Sequence, residues 1–277
     1  MHKPKALIVG DTRDFHIGSL VNCSYLSDVI SKKYDFLGFF GKNDFCYDSY
    51  DHLRKKIKNR QSLIKCIEKS QAIFCHGEGM IEAQSKWGNS LFYLAKYIKN
   101  TWPNKKVYLV NFSCFDKNFE DWTPFNKIIP RDIGTYECLS KELGNLRLGF
   151  DCSILQEITK NKHSKKTKVI VFRGRKDISK QDLAKISDAF PAKEIYPSSA
   201  FWKFSHSNAI DINNLRELQD LLQEAYLVVS SSFHGIIFST RFAVPFVPID
   251  TVGTDKNASV SRDILGRYYK RLDLDGW

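Results

Sequence analysis

The residues best placed to do chemistry lie between Ser230 and Gly235, where three serines run into Phe233, His234 and Gly235. A short apolar run rich in β-branched residues, Tyr226 to Val229, precedes them. An apolar segment, Ile236 to Phe242, follows and ends at Val244-Pro245. The first run suits a buried strand, and serines just ahead of an apolar run suit a helix N-terminus. The expected order is strand, tight turn, short helix, second strand. Such a turn leaves His234 and several unbonded backbone N–H groups at a helix N-terminus, which attracts an anion. It also places them beyond the carboxyl end of a parallel strand, where open α/β sheets bind ligands. The plainer alternative is a histidine that caps or packs in the turn.

Three other stretches carry polar or glycine residues just past an apolar strand pattern. They are Gly10-Asp11 with His16 and Gly18, then His76-Gly77-Glu78-Gly79, then Phe172-Arg173-Gly174-Arg175. Glycine past a strand lets a backbone turn tightly or approach a ligand closely. A plain turn is the default for Gly77 to Gly79, and Glu78 reads first as an exposed turn residue. Arg173 reads equally as a surface arginine at a strand end. Arg131-Asp132 fits a helix start and a packing pair better than a catalytic one.

The elements that must position these residues follow an alternating pattern. Strands are expected at Lys5 to Gly10, Phe36 to Phe40, Ala72 to Cys75, Val107 to Phe112, Lys127 to Pro130 and Leu146 to Asp151, with helices between them. One of those helices, Asp51 to Ser70, is basic and amphipathic, with Leu53, Ile57, Leu63, Ile64 and Ile67 inward. A solvated face explains its lysines most simply, and an acidic membrane is the other partner that would suit them. Asn161 to Lys168 is polar, lysine-rich and aperiodic, as a linker would be. The pattern then restarts with a strand at Lys168 to Phe172, a capping-box-like Ser179 to Asp182, a short strand at Glu194 to Tyr196 and a helix at Asp211 to Glu224. A final helix is expected near Ser261 to Tyr269. Strands alternating with helices make a doubly wound α/β fold. The economical arrangement is two Rossmann-like domains, 1–160 and 161–277, facing a cleft.

Composition agrees with a soluble globular protein that has a real core. Hydrophobic residues are 43% and charged residues 26% of 277. Lys and Arg exceed Asp and Glu by 42 to 31, a net +11 that favours an anionic partner. Zinc-finger spacing, RNP-type aromatic motifs and a basic zipper are all missing, so nucleic acid is the weakest candidate. Seven cysteines at scattered spacings argue against a zinc site or a disulfide framework and fit a reducing compartment. No apolar run approaches the roughly 18 residues that span a bilayer, and no signal-peptide pattern opens the chain. The expectation is a cytoplasmic protein, with peripheral contact at the inner membrane face left open.

Taken together, the motifs resemble the polysaccharide pyruvyl transferase family over nearly the whole chain. The resemblance rests on Gly10-Asp11 with His16 and Gly18, Gly77-Glu78-Gly79, Arg131-Asp132, Phe172-Arg173, and Ser232-Phe233-His234-Gly235 followed by Val244-Pro245-Phe246. It implies a fold similar to the two-domain GT-B transferases. It also implies transfer of enolpyruvyl carbons from phosphoenolpyruvate to a sugar, as a ketal, in building envelope, capsule or exopolysaccharide. Arg173 and His234 then become the donor-site pair, with Arg175, Ser231, Ser232 and Gly235 around the donor. Asp11 and His16 are the catalytic candidates of the other half. Gly10, Gly18, Gly77, Glu78 and Gly79 form loops on the acceptor side. Ser232 departs from the family, many members of which carry Arg there, so a bidentate anion clamp is missing at that position. Either Arg175 compensates or the donor differs.

For ketal formation, His234 suits the general acid and Arg173 the anion grip, while Asp11, His16 or Glu78 would orient or deprotonate the acceptor. The co-substrate is phosphoenolpyruvate or a nucleotide sugar, with no cofactor and no metal implied. The acceptor is a glycan or a lipid-linked oligosaccharide. A GT-B glycosyltransferase is the nearer alternative and a non-catalytic glycan- or lipid-binding protein the further one.

Overall fold

The computed structural model describes residues 2–13, 17–78, 81, 85–114, 121–149, 151–155, 166–174, 178–201 and 209–248. The chain divides into two compact units, Met1–Thr12 with Asn22–Cys152, and Arg13–Val21 with Ser153–Trp277. The division falls at Cys152/Ser153, ahead of the expected 160/161 boundary, and it assigns Arg13–Val21 to the second unit. Most of the expected linker and the expected closing helix at 261–269 lie outside the described residues.

The first unit is built on five parallel strands, β1 (Lys5–Asp11), β2 (Asp35–Gly41), β3 (Ala72–Glu78), β4 (Lys106–Phe112) and β5 (Lys127–Pro130), in the order β2-β1-β3-β4-β5. Strands such as β1 and β3 are apolar along most of their length because they are central and covered on both faces. On one face, Leu26 and Ile30 of α1 (Ile17–Lys33) pack on Ala6, Ile8, Ala72 and Val110. The other face holds the largest core, where α2 (Lys42–Phe45), α3 (Tyr50–Lys56), α4 (Gln61–Lys69) and α5 (Lys86–Thr101) bury Phe45, Leu53, Leu63 and Leu91. The unit closes with α6 (Ile133–Ser140).

Two expectations fail here. The helix over Asp51 to Ser70 is broken into α3, a 3-10 turn at Ile57–Asn59 and α4, with Arg60 at φ −92°, ψ 65° between them. On a continuous helix Leu53, Ile57, Leu63, Ile64 and Ile67 would share an arc of about 120°, so apolar spacing alone does not produce the break. The sixth strand, at Leu146 to Asp151, shrinks to one bridge between Ile128 and Leu146. Backbone bonds continue to Gly149, whose N–H donates to Pro130 O at 2.9 Å. Pro130 has no N–H to return, so the ladder stops there.

The second unit has four parallel strands, β6 (Lys168–Phe172), β7 (Glu194–Ser198), β8 (Ala225–Ser230) and β9 (Phe246–Pro248), ordered β7-β6-β8-β9. Its helices are α7 (Lys180–Ala189), α8 (Leu215–Gln223) and α9 (Phe233–Arg241). Ser179 and Asp182 form the expected capping box at α7. Leu218 and Leu222 of α8 are buried on β6 and β8, in one cluster with Ile17 and Val21.

Candidate functional site

In the second unit the chain runs from β6 outward to β7 and then returns to β8, so β6 and β8 flank the point where strand order reverses. Loops at such a point splay apart and leave room for a ligand. The β6 loop here is Arg173-Gly174, and the β8 loop is Ser231-Ser232, leading straight into α9.

The two loops are tied together. The Gly174 N–H donates to Ser231 Oγ at 2.7 Å. A Cβ on Gly174 would stand 2.3 Å from Ser231 O, so only glycine fits this crossing. Arg173 Nε donates to Gly174 O at 3.1 Å, leaving its side chain half-buried at the strand end. The serines do less capping than expected. Ser232 is the N-cap residue of α9, but its side chain makes no capping bond. Ser230 Oγ instead accepts from Ser232 N–H at 3.0 Å and donates to Ser232 O at 2.9 Å, which locks the turn from inside. Gly235 is a packing glycine, since a Cβ there would meet Ser230 Oγ at 2.3 Å.

His234, the second residue of α9, is 5% exposed. Its ring stacks on Phe201 with centroids 5.9 Å apart, and Phe201 in turn packs edge-on against Phe172 at 4.9 Å. Gly18 meets the same imidazole, and a Cβ on Gly18 would lie 2.4 Å from His234 Cγ. Gly18 was expected in an acceptor-side loop of the first domain. The structure corrects this, because Gly18 belongs to the second unit and gives His234 its room.

The first sheet has its own reversal between β1 and β3. Gly10 adopts φ 97°, a conformation that favours glycine, and Asp11 ends β1 beside Gly41 of β2. Gly77 lies within β3 rather than in a turn, with Phe112 Cβ 2.5 Å and Ile81 Cδ1 2.7 Å from the position of an added Cβ. Glu78 is 4% exposed, not the exposed turn residue expected, and takes φ 34°. Its Oε2 accepts from Thr12 Oγ1 at 2.5 Å. Thr12 Oγ1 also lies 3.6 Å from Cys23 Sγ, which is 3.6 Å from His76 Nδ1. His76 Nδ1 is 3.1 Å from Gly10 O, and its Nε2 is 2.9 Å from Asn111 Nδ2. Asn111 sits at φ 53° and accepts from Cys152 N–H through Oδ1. Left-handed conformations at Glu78 and Asn111 cost free energy and concentrate at functional sites. His16, Gly79 and Arg175 lie outside the described residues.

A sequence model described as polysaccharide pyruvyl transferase matches residues 24–251, most of the chain. The chain belongs to the polysaccharide pyruvyl transferase family. This family member is therefore a transferase with sugar or polysaccharide substrates. No curated protein matches it in sequence. Its fold is similar to that of the UDP-GlcNAc 2-epimerase of Methanocaldococcus jannaschii, with 13% identity, TM-score 0.57, and 94% of this chain and 92% of that one covered. It is likewise similar to the Neisseria meningitidis UDP-GlcNAc 2-epimerase bound to UDP-GlcNAc, with 11% identity, TM-score 0.52 and coverage of 97% and 91%. A third similar structure is S. aureus MnaA with UDP, at 12% identity, TM-score 0.56 and coverage of 99% and 88%. These likenesses show a GT-B fold of Rossmann-like α/β units.

For this pyruvyl transferase family member, Arg131 and Asp132 are structural. Asp132 caps α6 by accepting from Thr135 N–H at 2.8 Å. Arg131 is buried against Asp151 at 2.9 Å and Ser113 at 2.8 Å. Sequence reasoning missed the supports of the site: Phe201, Gly174, Thr12, His76 and Asn111. His76 and Gly174 both lay in strand-end glycine motifs, and that position was the signal available for them. Phe201 and Asn111 gave none, because they reach their partners only through the fold. Among the described residues, no group of histidine, cysteine, aspartate and glutamate could hold a metal ion.

Proposed function

We propose that this protein transfers the enolpyruvyl carbons of phosphoenolpyruvate to a sugar as a ketal, using the β6–β8 loops and α9 as its donor site. The observation that carries this reading is the buried His234 at the start of α9, beside a β6 loop that bears Arg173. Family membership supports the same reaction class. A helix N-terminus and a guanidinium suit a donor with a carboxylate and a phosphate.

In the reaction, a proton adds to the methylene carbon and a sugar hydroxyl oxygen bonds to the central carbon. The bond from that carbon to the phosphate oxygen then breaks, and a second hydroxyl of the same sugar closes the ketal as phosphate departs. The two hydroxyl protons balance the methyl hydrogen gained and the proton left to the base. His234 donates the proton, because a bound phosphate favours its imidazolium form. Arg173 holds the anion. Donor transfer from a nucleotide sugar is the second reading. It is favoured by Ser232, where a family arginine would have gripped phosphoenolpyruvate.

A thermal-shift series on purified full-length protein separates them. Stabilisation follows RT ln(1 + [L]/Kd), about 2.7 kcal/mol at a hundredfold excess over Kd. Phosphoenolpyruvate is expected to raise the Tm of the wild type. It should fail to do so for Arg173→Ala, and for Gly18→Ala, whose methyl displaces the His234 ring. A rise with a UDP-, CMP- or GDP-sugar and none with phosphoenolpyruvate would sink the pyruvyl donor.

A further inference from the structure

The outer face of α3 and α4 carries a charge imbalance, one of two in the chain; the other, at 160–168, lies mostly outside the described residues. Over α3 and α4, residues 50–69 hold seven cations and two acids, Asp51 and Glu68, nearly half of the chain's net +11. The inward positions are filled by Leu53, Ile57, Leu63 and Ile67, each at most 1% exposed, so the cations are turned to the outside. All seven are exposed.

A helix face that is simply solvated interleaves acids with its lysines at helical spacing. Elsewhere in this protein lysines do find acids. Lys86 pairs with Asp48 at 2.5 Å, Lys168 with Glu224 at 2.7 Å and Lys96 with Asp121 at 3.7 Å. Among the described residues, Arg54, Lys55, Lys56, Lys58, Lys65 and Lys69 have no carboxylate partner. Arg60 lies near the Tyr47 phenol and the Asp44 carboxylate, which hold its pKa above the ordinary value. The positive zone extends past the end of α4, where Lys105 Nζ donates to Glu68 O at 2.8 Å and Ser70 O at 2.7 Å.

We propose that this face docks the protein on an anionic phospholipid bilayer surface. The cations are not interleaved with exposed aromatic rings on which bases could stack. Lysine ammoniums on flexible stems suit the diffuse charge of lipid headgroups. No helix among the described residues is long and apolar enough to cross a membrane, so the contact is one of surface charge. It does not depend on the identity of the donor.

Cosedimentation of the full chain with vesicles tests it, comparing phosphatidylcholine alone with phosphatidylcholine containing phosphatidylglycerol, at low and high salt. The wild type is expected to pellet with the anionic vesicles at low salt only, since screening removes such attraction. The combined variant Lys55→Glu, Lys58→Glu, Lys65→Glu should bind on the order of a hundredfold more weakly, at roughly 1 kcal/mol per cation. The variant Lys127→Glu, Lys141→Glu, Lys166→Glu changes net charge equally at other exposed lysines and should still bind. A Gln version of the first triple replaces it if the Glu version does not fold. Equal loss in both triples, or no wild-type pelleting, overturns the proposal. So does displacement from the vesicles by mixed-sequence RNA at matched charge, which would make the face a nucleic acid surface.

Discussion

The residue that best shows how burial sets chemistry here is His76, enclosed at the end of β3. Burial disfavours its charged form, but Cys23, the Glu78 carboxylate and the Gly10 carbonyl pull the other way and would raise its pKa to about 9. The Asn111 amide opposes them. Its Oδ1 is committed to Cys152 N–H, so its NH2 faces His76 Nε2 at 2.9 Å, a hydrogen bond only if Nε2 carries no proton. We take the neutral Nδ1–H form, with Nδ1 donating to Gly10 O, as the one this geometry holds. The two forms differ in a measurable way. A charged His76 would contribute stability fully present below pH 6.5 and lost as pH rises through about 9. The neutral form predicts that the wild-type Tm shows no loss assignable to His76 across that window. Asn111→Asp, which gives Nε2 an acceptor, should create that loss. Tm measured against pH for both proteins decides the matter, and a wild-type decline absent from His76→Gln would refute the neutral assignment.

At the scale of elements, local rules held wherever a side chain bonds its own backbone neighbourhood. Asp132 caps α6 through Thr135 N–H and also accepts from Thr135 Oγ1 at 3.0 Å, while Thr135 Oγ1 accepts from Cys114 N–H at 2.8 Å. Asp132→Ala should therefore cost about 1–2 kcal/mol in denaturant unfolding. Donor-induced stabilisation should be unchanged, since among the described residues Asp132 bonds Thr135 and no donor-site group. A loss of that stabilisation would move Asp132 into the site. The break between α3 and α4 is not of this kind, because the apolar spacing across it is compatible with one helix and no local pattern marks it.

At the scale of the whole molecule, the second unit is completed by residues from near the start of the chain. Ile17 and Val21 are 4% and 2% exposed and pack with Ile170, Phe172 and Phe238. Each such side chain contributes roughly 1.5–3 kcal/mol when buried, a large part of the 5–15 kcal/mol that holds a typical domain. A fragment of residues 153–277 is accordingly expected to melt without a cooperative transition by circular dichroism. A cooperative melt equal to that of the full chain would show that 13–21 is dispensable to this unit.

The sequence by itself determined the strand–helix alternation, the capping residues, the family and the loops that carry Arg173 and His234. Those features depend on periodicity and on contacts between near neighbours in the chain. Tertiary structure alone decided that Gly18 makes room for His234, that Phe201 backs its ring, that Glu78 is buried against Thr12, and that His76 is bracketed by Gly10 and Asn111. These partners are dozens to hundreds of residues apart. Strand order brings them together, and no local pattern of residue types records it.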